Sequence, residues 1–174
     1  MNNKKIKRIT FIGLMTACAI VLSFVESLFP VLAFMPPGAK LGLSNIAVMF
    51  GAYALSFWEV MIIVIAKAVF ALITRGFTAF LMSLVGGILS GIAMYILFKK
   101  INGIGCLGIG VVSALFHNIG QLLVSFLLLK TKAVLGYAPI LILMGVLTGV
   151  LTGILLKITM PYFDKMKILK EMEK

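Results

Sequence analysis

The chain has 174 residues, 62% hydrophobic and 12% charged, where a soluble domain would be about 45–50% apolar and 25% charged. The apolar residues gather in runs of roughly twenty, the length a helix needs to cross ~30 Å of hydrocarbon. This excludes a soluble globular class and gives an all-α integral membrane protein. The net charge of +11 sits mostly at the ends of those runs, where Lys and Arg set topology and meet lipid headgroups, so nucleic acid is not the expected partner.

Six transmembrane helices are predicted. Lys4, Lys5, Lys7 and Arg8 precede the first, at about 9–29. Its apolar run is longer than a signal-peptide core, so it reads as an uncleaved span. PVLAFMPPGAK (30–40) is a Pro/Gly-rich break. Further spans follow at about 41–57, 60–74, 77–98, 104–129 and 134–158, and residues 159–174 form a basic cytoplasmic tail. The short connections make neighbours antiparallel. With the N-terminus inside, eleven Lys and Arg lie on the cytoplasmic side and four outside, so both termini are expected in the cytoplasm of a multi-pass cell-membrane protein.

Small residues recur at four-residue spacing: Gly13 and Ala17, Gly87 and Gly91, and Gly145, Gly149 and Gly153. Such faces let helices approach closely, either within the bundle or against another membrane protein. GIGCLG (103–108) satisfies GxGxxG, but it has no strand before it and no acidic residue downstream, so it is a loop entering the fifth span. Cys18 and Cys106 are far apart, with no metal-ligand spacing and no reason for a disulfide.

The fifth span carries SALFHNIGQLLVS (113–125). At 100° per residue, Ser113, His117, Gln121, Ser125 and Asn118 fall within a 140° arc, and Leu115, Phe116, Ile119, Leu122 and Leu123 fill the opposite face. A polar stripe in a membrane points into the bundle. By depth, Lys67 and His117 come near mid-membrane, and Glu26, Asn45, Arg75 and Gln121 toward the outer boundary, with Lys40 just beyond. A mid-span lysine costs roughly 2.5–3.5 kcal/mol on insertion scales and needs a partner. Glu26 is within consideration, while Glu59 lies about 12 Å away along the helix. Two readings stay open: a polar network that only fixes packing, or a pocket facing the external side. In the second, Lys40, Lys67 and Arg75, with His117 able to add charge, outweigh Glu26 and favour an anionic ligand.

KLGLSN (40–45), SLVGGILSGIAM (83–94) and SALFHNIGQLLVS (113–125) together resemble the heptaprenyl diphosphate synthase component I family, also called the Gx transporter family. The GG and HNxGQ elements are the specific part, and the resemblance covers nearly the whole chain. The first fifty residues are also similar to the substrate-binding S components of energy-coupling-factor transporters. The resemblance implies a six-helix S-component-like bundle that holds a small molecule, such as an isoprenoid or quinone precursor. Movement inward would depend on a membrane-embedded coupling protein and a pair of ATPases. It makes Asn45, His117, Asn118 and Gln121 pocket residues and Gly13/Ala17 a docking surface. No GxxxxGK[ST] loop is present, so ATP hydrolysis would fall to a partner. The alternative is a non-catalytic membrane subunit beside a soluble prenyl diphosphate synthase. The usual synthases hold magnesium with aspartate-rich clusters. The five acids here cluster only as Glu171 and Glu173 in the tail, so no catalytic residue, metal site or cofactor is expected.

Overall fold

The computed structural model describes residues 3–28, 40, 42–101 and 103–165. It is helical throughout: α1 (Asn3–Leu28), α2 (Asn45–Ala54), α3 (Phe57–Arg75), α4 (Phe77–Lys100), α5 (Cys106–Leu129), a 3₁₀ turn (Lys132–Tyr137) and α6 (Ala138–Lys165). Five of these, all but α2 among the α-helices, are long and apolar enough to cross a membrane. Residues 30–39 of the predicted break and most of the predicted tail lie outside the described residues.

The second predicted span differs most. The run at 41–57 is apolar throughout, but its helix has ten residues and is about 15 Å long, half a hydrocarbon thickness. An apolar segment of this length is a core helix. It touches α1, α3, α4 and α6, and Ala47, Val48, Met49 and Ala52 are fully or almost fully buried. Its successor is longer than expected. Ser56 caps α3, and the Glu59 side chain returns to the Ser56 backbone N–H at 2.8 Å, a capping box that starts the helix at Phe57. Glu59 also accepts from Arg8 Nη2 at 2.8 Å, tying the start of α1 to that of α3. Gly76, at φ 86°, turns the chain between α3 and α4 where a side chain would be strained. The GIGCLG stretch is loop only as far as Gly105, since α5 begins at Cys106.

Packing runs from α1 to α3, α4, α5 and α6 in turn. The glycines set close crossings. At the α5–α6 seam, a Cβ on Gly149 would stand 2.8 Å from the Gly110 carbonyl oxygen, and one on Gly153 would stand 2.7 Å from that of Cys106. The 145/149/153 stripe is therefore used within the bundle. Gly87 and Gly91 likewise receive Val64 and Met61 of α3. Gly13 and Ala17 are exposed on α1, and nothing lies within 4 Å of a Cβ placed on Gly13. Exposed Ile62, Ile65, Ile119, Leu123, Leu147 and Ile158 give the apolar perimeter that a bilayer requires.

Candidate functional site

The polar stripe of α5 faces inward. Ser113, His117, Asn118, Gln121 and Ser125 are all buried, while Phe116, Ile119 and Leu123 are 42–50% exposed. Ser125 and Ser113 return their hydroxyls to carbonyls of their own helix, Ser125 to Gln121 at 2.8 Å. Gln121 reaches across to the segment before α2. Its Oε1 accepts from the Lys40 N–H at 3.2 Å, and its Nε2 donates to the Lys40 carbonyl at 3.1 Å. The same nitrogen lies 2.8 Å from His117 Nε2. With the amide fixed by Lys40 as acceptor and donor, its second hydrogen points to the ring. His117 Nε2 is then the acceptor, and the proton belongs on Nδ1, beside the Gly86 backbone. The imidazole is therefore neutral in this arrangement.

Glu26, near the end of α1, is 6% exposed. Its Oε1 accepts from the N–H groups of Gly42 and Leu43, which pins the entry to α2. Gly42 has φ +91°, and a Cβ there would stand 2.9 Å from the Asn45 side chain and 3.3 Å from His117, so only glycine fits. Lys67 is 1% exposed. Its partner is Asn45 rather than Glu26: Nζ donates to Asn45 Oδ1 at 2.7 Å. A buried lysine held by an amide keeps its charge uncancelled by direct contact. Lys40 Nζ donates to the Ser23 carbonyl and lies 3.4 Å from Ser23 Oγ. Burial, and then the nearby Arg75 guanidinium, push its pKa down to about 8, with Glu26 acting the other way.

These groups surround a cavity at the end of the bundle where α1 and α3 finish and α4 begins. Glu26, Lys40, Gly42, Lys67, Arg75, His117 and Gln121 line it, with Ser23, Ser44, Ala79, Met82 and Ser83 completing the wall. Its empty space is about 270 Å³ counted to the open side, and the enclosed part has room for about one water. Three cationic side chains face one carboxylate. Among the described residues, no three of His, Cys, Asp and Glu gather where a metal could be held.

Five of the seven predicted pocket residues therefore meet: Glu26, Lys67, Arg75, His117 and Gln121. Asn45 stands behind the wall and holds Lys67. Asn118 does not take part. It points to α6, where Nδ2 donates to the Leu141 carbonyl at 2.6 Å, and it fills the space beside Gly145. Its 140° position put it at the edge of the stripe, and that edge faces α6. Sequence reasoning did not single out Ser23, Gly42, Ser83 or Gly86. Gly42 and Gly86 stand within the KLGLSN and GG stretches, and their position there was the available signal. The serines gave none.

A helical membrane protein with a buried, predominantly cationic polar cavity at one end is the class that fold and site define. The chain matches the family heptaprenyl diphosphate synthase component I over residues 15–159. It belongs to that family. No curated protein and no solved structure gives a match.

Proposed function

We propose that this is a cell-membrane transport protein that binds an anionic or amphipathic small molecule in the cavity between α1, α3, α4 and α5. It would work as an S-component-like binding subunit whose energy comes from partner ATPases. The observation that carries the reading is the convergence of Lys40, Lys67 and Arg75 on one cavity with Glu26 as the opposing acid. In a low-dielectric setting, uncancelled positive charge favours an anion. Met82 and Ala79 on the wall suit a ligand with an apolar portion. With the N-terminus in the cytoplasm, the far end of α1, where Glu26 lines the cavity, faces the external side. The exposed Gly13/Ala17 face of α1 is where a coupling protein would dock.

Family membership favours a second reading. Its description names a component of a prenyl diphosphate synthase, so the partner would be a soluble synthase subunit and the ligand a prenyl diphosphate. Both readings require the anion site. Binding to nanodisc-embedded protein, followed by calorimetry with a panel of carboxylates, phosphates and prenyl diphosphates, tests it. Lys67→Met is expected to weaken binding at least tenfold while the protein still inserts; unchanged affinity would remove the anion site. Affinity purification then separates the two readings, by recovery of ATPases with a coupling protein or of a soluble prenyl synthase.

A further inference from the structure

Glu26 makes the cavity more than a positively charged hole. Its Oε1 is occupied by the Gly42 and Leu43 N–H groups. Its Oε2 is buried and has no hydrogen-bond partner among the described residues. A buried carboxylate oxygen without a donor is costly, and native proteins rarely leave one. The neighbouring ammonium groups are directed elsewhere, Lys67 to Asn45 and Lys40 to Ser23. Arg75 Nε, on the same cavity, is likewise buried without an acceptor. One wall thus offers an unpaired acceptor and another an unpaired cationic donor.

Resting on the anion-site reading above, we infer that the ligand carries a hydrogen-bond donor close to its acidic group, as in an amino- or hydroxy-substituted carboxylate or phosphate. The acidic group meets Arg75 and the lysines, and its hydroxyl or ammonium donates to Glu26 Oε2. A bare diphosphate has only acceptors to offer when fully ionised, so it would set like charge against that oxygen. The same pairing of donor and acid occurs in free small molecules and in an ethanolamine phospholipid headgroup.

The test uses full-length protein in phosphatidylcholine nanodiscs, whose headgroup has no donor. Binding is measured for matched carboxylates and phosphates with and without a hydroxyl or amine one or two bonds from the acid, and for inorganic diphosphate. Wild type is expected to prefer the donor-bearing member by at least tenfold. Glu26→Gln leaves an oxygen for Gly42 and Leu43 but turns the free acceptor into a donor. It should reverse the preference, weakening donor-bearing ligands while strengthening diphosphate. A role for Glu26 only in holding the backbone predicts equal losses for both members of every pair, and that result overturns the inference. Equal wild-type affinity within pairs overturns it while leaving the anion site standing. Failure of every anion to bind removes both. Competition in a parallel series containing phosphatidylethanolamine supports the inference and identifies the lipid headgroup as the source.

Discussion

Replacing Gly120 by alanine inserts one methyl group between α5 and α4, one residue from Gln121. A Cβ there would stand 2.6 Å from Gly86 Cα, 2.7 Å from Gly86 N and 3.0 Å from the Val85 carbonyl carbon. All three are backbone atoms, so no side chain can turn aside. To restore ordinary contact at 3.4 Å, the helices must part by about 0.8 Å. Overpacking of this kind costs typically about 1–3 kcal/mol, roughly 2–12 °C in melting temperature for a chain of this length. The same displacement draws Gly86 away from the His117 ring and loosens the wall that carries His117 and Gln121, so ligand affinity should fall with stability. Gly13→Ala is the control. Its Cβ meets nothing within 4 Å, and alanine in mid-helix gains roughly 0.5–1 kcal/mol over glycine. Thermal unfolding of both variants in one detergent gives the answer. If Gly120→Ala melts no lower than Gly13→Ala, the close α4–α5 crossing is not a constraint, and the account of the GG element is wrong.

Gln121→Ala removes both hydrogen bonds to the Lys40 backbone and the partner of His117. It should weaken ligand retention tenfold or more in an equilibrium binding assay while the protein still inserts; His117→Ala should act in the same direction. Asn118→Leu removes the interhelical hydrogen bond to the Leu141 carbonyl and should destabilise the α5–α6 seam by about 0.5–1.5 kcal/mol, with Kd for the ligand nearly unchanged. With its pKa lowered to about 8, Lys40 is charged below that pH and loses its proton above it. An anion favours the charged form, so binding takes up a proton at high pH. Affinity should be level below pH 8 and fall above it, by up to tenfold per pH unit through Lys40 alone. Lys40→Met should flatten that slope in a calorimetric titration.

Composition and hydrophobic run length alone determined that this is a helical membrane protein, because the cost of unpaired backbone in lipid leaves few alternatives for long apolar runs. The 100° repeat determined which face of α5 turns inward, and the structure bears this out from Ser113 to Ser125. Run length could not tell a buried core helix from a crossing. That is why the second span contracted to Asn45–Ala54: its surroundings are helices rather than lipid, and only packing supplies them. Side-chain partners were also outside the reach of sequence. Lys67 needed a partner in any fold, but whether that was Glu26 or Asn45 depended on where the chain re-enters the bundle after the break. Gly42, at φ +91°, settles that point by presenting its N–H and that of Leu43 to Glu26. Hydrophobicity is a property of each residue and survives in the sequence. The meeting of Lys40, Lys67, Arg75 and Glu26 depends on the relative placement of separate helices, which only tertiary packing fixes.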